Sequence, residues 1–172
     1  MSRPASYLIL HHIVKSGNMG ALVRSAAAFG IDEIVVVGRR RLPTRAAVGM
    51  QSCVRRTNFL RLRDAEDYLR ERGVEIVGVE IDASAVPVEQ HPFRGDTAFL
   101  LGNEGAGLTD AHRAMCDSFV RIRQHGHARS LNVNVAGAIV MHHFACWAGY
   151  EERPIEGAKF VPKELQTGPF SS

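Results

Sequence analysis

Apolar residues in this chain fall into two recurring patterns. Short runs of β-branched and aliphatic residues alternate with segments whose apolar positions return every three to four residues, which predicts strands alternating with helices. Tyr7-Leu-Ile-Leu-His11 reads as the first strand, followed by a loop through Gly17. A helix follows from near Gly20 to Gly30, presenting Ala21, Leu22, Ser25, Ala26 and Phe29 for packing. Glu33-Ile-Val-Val-Val37 is a buried strand. A short helical turn is expected around Arg45–Ser52 and a short strand near Asn58–Leu60. Asp64–Arg72 is an amphipathic helix closed by Gly73, where a left-handed C-cap costs least. Val74–Glu80, Thr97–Gly102 and Ser118–Ile122 are further strands, Asp110–Met115 is a helix, and a long apolar helix runs from Leu131 to about Tyr150. This order calls for an α/β fold with a mostly parallel sheet flanked by helices on both faces. In such sheets ligands bind beyond the carboxyl ends of the strands.

Three stretches break the regular pattern in a way that suggests chemistry: Asn18-Met-Gly-Ala-Leu-Val-Arg-Ser25, Leu100-Leu-Gly-Asn-Glu-Gly-Ala-Gly-Leu108 and Arg129-Ser-Leu-Asn-Val-Asn-Val-Ala136. Each sets small residues and one or two polar side chains beside an apolar run, the composition of a site where main chain touches a ligand. The second and third stretches begin just beyond predicted strands. Gly102–Gly107 is not a phosphate-binding P-loop, because Leu108 stands where the lysine is needed. It is not a dinucleotide fingerprint either, since Asp110 occupies the third glycine position. No Gly-x-Ser-x-Gly elbow supports a hydrolase. Arg24 is the unusual side chain of its helix, where a salt bridge or a snorkelling role is the plain alternative to a catalytic one.

Charge changes the picture at one place. The net charge of +3 is modest, yet Gly38–Arg63 carries eight arginines and no acidic residue. A solvated loop would explain this, and so would a phosphate-rich partner, because guanidinium can donate two parallel hydrogen bonds to phosphate. Of the eight histidines, the pairs His11-His12 and His142-His143 lack metal-ligand spacing, so ordinary core or surface positions are expected and no metal is. Cys53, Cys116 and Cys146 form no Cys-x-x-Cys pair and read as reduced, structural thiols. With no membrane-spanning run and no signal-peptide pattern, the cytoplasm is the first expectation, with a nuclear or organellar address left open. Residues 1–152 read as a single domain and 153–172 as an irregular tail.

Together the three stretches resemble the signature motifs of the SpoU-type (TrmH-like) RNA 2′-O-ribose methyltransferases of the SPOUT (α/β-knot) superfamily. Asn18, Gly20, Ala21, Arg24 and Ser25 match the first motif. Leu101, Gly102, Asn103 and Glu104, with Gly105, Gly107 and Leu108, match the second, and Ser130-Leu-Asn-Val133 the third. The resemblance implies a C-terminal deep trefoil knot, an exception to the usual absence of knots. It also implies a homodimer that binds S-adenosylmethionine through main-chain groups and methylates a ribose 2′-hydroxyl of RNA. By motif position the cofactor contacts are Gly102, Ile122, Leu131, Leu101, Gly107 and Val79, and the catalytic set is Arg24, Asn18, Glu104, Ser130 and Asn132. RNA would meet Arg39, Arg40, Arg41, Arg45, Arg55 and Arg56.

Two departures stand out. Ile122-Arg123-Gln124 replaces the common Ile-Pro-Met, and Asn134 replaces a common serine. The extra charge at Arg123, followed by His125, His127 and Arg129, makes the cofactor entrance basic. The early first strand resembles members consisting of the catalytic domain alone, which commonly act on tRNA. tRNA is therefore expected before ribosomal RNA, and a knotted RNA-binding protein that has lost catalysis is the alternative.

Overall fold

A computed structural model of the chain describes residues 3–13, 15–38, 54–103 and 105–154. The expected strand–helix alternation is present: β1 (Ser6–Leu10), α1 (Ser16–Ala28), β2 (Glu33–Val37), β3 (Arg55–Phe59), α2 (Leu62–Arg70), β4 (Glu75–Val79), β5 (Val86–Pro87), β6 (Thr97–Leu101), α3 (Asp110–Met115), β7 (Ser118–Arg121) and α4 (Val133–Trp147). The seven strands form one sheet in the order β3-β2-β1-β6-β4-β7-β5, and every pairing is parallel.

Strand alternation divides the core in two. Leu8 and Leu10 of β1, with Phe99 and Leu101 of β6, face Leu22, Val23 and Ala26 of α1 and Val140, Met141 and Phe144 of α4. Tyr7, Ile9, Ala98 and Leu100 point to the other face, where Ala65 and Leu69 of α2 and Met115 of α3 cover them. Gly137 lets α4 approach closely, because a Cβ there would lie 2.6 Å from Leu22 Cδ2 and 2.9 Å from Leu101 Cδ1.

Three differences from the sequence expectation have physical causes. Helix α1 starts at Ser16 rather than near Gly20, because Asn18 and Met19 are buried and packing outweighs the low helix propensity of glycine. Strand β3 begins at Arg55 although its sequence, Arg-Arg-Thr-Asn-Phe, is mostly polar. It is an edge strand anchored through Arg55 and Thr57, both of which donate to the buried carboxylate of Glu33. Strand β5 carried no periodic signal. Its two residues add to the opposite edge, where proline costs no sheet hydrogen bond. The expected turn at Arg45–Ser52 and most of the expected tail lie outside the described residues.

Candidate active site

Strands β6, β4 and β7 are neighbours and end on the same side. The chain leaving each one enters the wall of a single cavity of about 650 Å³. Leu101–Asn103 and Gly105–Leu108 form one side, Val79–Ile81 a second, and Arg121, Ile122 and Gln124 a third. Ser130–Val133, leading into α4, and Lys15 and Asn18, at the start of α1, complete it. All three motif stretches therefore meet at the carboxyl edge of the sheet.

Hydrogen bonds tie down the described residues of the loop after β6. Asn103 and Gly107 exchange two main-chain bonds of 3.0 Å each. The Asn103 Oδ1 accepts from the Gly105 amide at 2.9 Å. Glu80 ties the loop to β4, its Oε2 accepting from the Leu108 amide at 2.9 Å and its Oε1 from the Ile81 amide at 3.0 Å. Gly102 fills a place no other residue fits, since a Cβ would stand 2.7 Å from the Gly107 carbonyl carbon and 2.9 Å from the Leu108 nitrogen. Gly107 adopts φ +67°, a left-handed conformation that favours glycine.

The charged side chains of the wall are mainly basic: Lys15, Arg113, Arg121 and Arg129 line it against the carboxylate of Glu80. Arg113 donates to Asp82 at 3.0 Å. The Ser84 amide and hydroxyl, joined by Arg113, hold the Asp82 carboxyl down at about 2. Arg121 Nε donates to the Ala85 carbonyl at 3.1 Å. Gln124 Oε1 is buried without a hydrogen-bond partner, an acceptor placed for a ligand donor.

The structure brings Asn18, Val79, Leu101, Gly102, Gly107, Ile122, Ser130, Leu131 and Asn132 together around this cavity. Asn132 also caps α4, its Oδ1 accepting from the Asn134 amide at 2.9 Å. Arg24 is exposed on α1 and does not line the cavity. It lies six positions after Asn18, about 9 Å along the helix axis. Arg55 and Arg56 lie on β3, the sheet edge far from the cavity, and Arg55 is engaged by Glu33. Glu104, Arg39, Arg40, Arg41 and Arg45 lie outside the described residues. Sequence reasoning missed Lys15, Glu80, Arg113, Arg121 and Gln124 as wall residues. Glu80 closes one predicted strand and Arg121 is the last residue but one of another, and their position at carboxyl ends was the available signal.

Residues 5–142 match the sequence profile of the SpoU rRNA Methylase family. The chain belongs to this family. Among curated proteins, this SpoU-family chain is 35% identical to the 23S rRNA (guanosine-2′-O-)-methyltransferase RlmB of Coxiella burnetii, covering 81% of this chain and 57% of the relative. It is 29% identical to the tRNA (guanosine(18)-2′-O)-methyltransferase of Escherichia coli K12, covering 81% and 62%. It thus spans about three-fifths of these relatives. The AdoMet-bound rRNA methyltransferase from Sinorhizobium meliloti superposes with a TM-score of 0.71 at 27% identity, covering 85% of this chain and 57% of that one. The parallel α/β sheet of the SpoU-family chain is therefore the fold of its family.

Proposed function

We propose that this chain is an S-adenosylmethionine-dependent methyltransferase acting on a ribose 2′-hydroxyl of RNA, with tRNA as the first candidate and ribosomal RNA as the second. The observation that carries this reading is the meeting of all three motif stretches in one main-chain-walled cavity at the carboxyl ends of β6, β4 and β7. Relatives acting on each RNA class keep both candidates in view.

The cavity suits the cofactor on two counts. Gly102 keeps the wall free of a side chain where a Cβ would meet main chain, and Gln124 Oε1 offers an unpaired acceptor. Leu101, Gly102 and Gly107 would present main chain to the cofactor, while Val79, Ile122 and Leu131 would cover its apolar surface. When bound, it supplies an electrophilic methyl group on a sulfonium. The protein's task is to aim a sugar oxygen at that carbon and stabilise the charge that develops. Arg24 suits that task as a fixed cation. Guanidinium keeps its proton at any working pH, so it orients a phosphate and stabilises a forming alkoxide rather than serving as a base. From its exposed position on α1 it would act outside the cavity wall, against RNA or a second copy of the chain. Asn18, Glu104, Ser130 and Asn132 would shape the pocket beside it.

The same reading includes RNA contact through Lys15, Arg121 and Arg129 at the entrance and through Arg39, Arg40, Arg41, Arg45 and Arg56, with Arg55 divided between RNA and Glu33. It includes a homodimer, supported by Val135 of α4, 44% exposed. The C-terminal knot is supported by the return of Ser130–Val133 to the wall formed after β4 and β6. The reading also takes residues 1–152 as one methyltransferase domain and the cytoplasm as its place. No helix among the described residues is long and apolar enough to cross a membrane.

The test is direct. Purified protein is incubated with methyl-labelled S-adenosylmethionine and either total tRNA or ribosomal RNA, and the RNA is digested to nucleosides. Label is expected in a 2′-O-methylnucleoside. Its absence from both RNA classes, together with no saturable cofactor binding, would replace this reading with an RNA-binding protein that has lost catalysis.

A further inference from the structure

A second cleft of about 430 Å³ lies on the other side of the loop after β6, sharing Asn103 and Ala106 with the main cavity. Its wall includes His11 and His12, which follow β1, and it adjoins His112 in the first turn of α3. Distant in sequence, the three histidines converge in space. His11 Nδ1 and His112 Nε2 are 2.7 Å apart, the His11 and His12 rings stack at 3.7 Å, and one nitrogen from each residue lies within 4.8 Å of the others. His112 is fully buried and His12 is exposed, so the cluster runs from the core to solvent. His12 is held at φ 58°, a left-handed conformation unfavourable for a residue with a side chain.

We propose that His11, His12 and His112 form a three-imidazole site for a divalent transition-metal ion of the zinc class, with its fourth position open to the second cleft. Among the described residues, no carboxylate hydrogen-bonds to the three rings. The 2.7 Å approach of His11 Nδ1 to His112 Nε2 requires one of these two nitrogens to present a lone pair. All-imidazole donors suit zinc, cobalt, nickel or copper and not magnesium or calcium, which prefer oxygen. Tetrahedral bonds of about 2.0–2.1 Å place ligand nitrogens roughly 3.3 Å apart, a spacing between the 2.7 Å of the close pair and the 4.8 Å span of the cluster. Binding asks His11 and His112 to part slightly and the exposed His12 to close in.

Two hydrogen bonds oppose this, the one that joins His11 Nδ1 to His112 Nε2 and one from the main chain to His112. The Thr109 amide donates to His112 Nδ1 at 3.2 Å, which places the His112 proton on Nε2, facing His11. On metal binding that proton moves to Nδ1, Nε2 coordinates, and the long Thr109 bond is lost: the amide of the exposed Thr109 turns to solvent, while the buried His112 Nδ1–H gives up its partner. No net proton is released, and the 3.2 Å Thr109 bond and the 2.7 Å bond between His112 and His11 are exchanged for bonds from the ion to three ring nitrogens. The ion would join two elements that also bound the main cavity. The His12 carbonyl accepts from Asn103 Nδ2 at 2.9 Å, so the β1–α1 connection and the loop after β6 would be clamped together. The inference does not depend on the methyl-transfer reading.

Untagged full-length chain, stripped with a chelator and dialysed, is titrated with Co²⁺ and then Zn²⁺. One Co²⁺ per chain is expected, with the intense visible bands of a tetrahedral site, no thiolate-to-cobalt band, and displacement by Zn²⁺, while Mg²⁺ leaves the spectrum unchanged. His12→Gln, at an exposed position, should weaken binding by more than about tenfold and leave the metal-free melting temperature unchanged. His143→Gln, in the separate His91–His143 pair, should bind as the parent does. Absence of stoichiometric Co²⁺, or wild-type binding by His12→Gln, would overturn the proposal and leave a hydrogen-bonded histidine cluster. So would loss of the site in His143→Gln.

Discussion

Replacing Gly102 with alanine is the sharpest probe of the cavity wall. The added Cβ would stand 2.7 Å from the Gly107 carbonyl carbon, 2.9 Å from its Cα and 2.9 Å from the Leu108 nitrogen. All three are main-chain atoms, so no side chain can rotate away. The loop is pinned at both ends of the clash by the Asn103–Gly107 bonds and by Glu80 on the Leu108 amide. It must move outward by several tenths of an ångström, which belongs to the range of about 1–3 kcal/mol seen when packed interiors are overfilled. For a chain of this size that lowers the melting temperature by roughly 2–12 °C. Losing one or two main-chain hydrogen bonds to a cofactor, at about 1 kcal/mol each, weakens binding by roughly five- to thirtyfold. Gly105→Ala is the matched control on the same loop, because its Cβ would meet only Asn103 Oδ1, at 3.7 Å. Calorimetric titration with S-adenosylmethionine and thermal melts of both variants measure the two effects. If Gly102→Ala kept parental affinity and melting temperature, the account of a rigid main-chain wall would be wrong.

Arg24→Ala should retain cofactor binding and lose most turnover, measured as label incorporated into 2′-O-methylnucleosides; near-parental turnover would remove Arg24 from the proposed mechanism. Arg55→Ala should cost about 1–2 kcal/mol in urea unfolding. Removing a partner from a fully buried pair costs about 3–5 kcal/mol, but Arg55 is largely exposed and Glu33 keeps its bonds from Thr57 and Tyr68. Unchanged stability would mean that Arg55 is free for RNA. Burial raises the Cys116 thiol to about 12, so it stays protonated and inert well above neutral pH. At pH 8.5 its thiolate fraction is about three orders of magnitude below that of an ordinary cysteine. Timed alkylation with peptide mapping should label the exposed Cys146 first and Cys116 only as the pH approaches 12 or the chain unfolds. Rapid labelling of Cys116 at pH 8.5 would contradict its burial.

Most of the sheet and the main cavity were readable in the chain because their signals are local. A run such as Glu33–Val37 or Thr97–Leu101 is buried on both faces, so its hydrophobicity alone announces a central parallel strand. Gly102 and Gly107 announce close main-chain contact because alternatives to glycine would collide or strain there. Strand β3 was harder to place, since an edge strand held by a carboxylate carries no hydrophobic period. What folding alone decided depends on distance in space. No spacing rule connects His11 and His12 with His112, a hundred residues later, or Glu80 with the Leu108 amide. These contacts exist because β6 inserts between β1 and β4 and brings their carboxyl ends side by side. Local stereochemistry is written residue by residue, whereas a site assembled across strands exists only once chain entropy has been overcome and the sheet has closed.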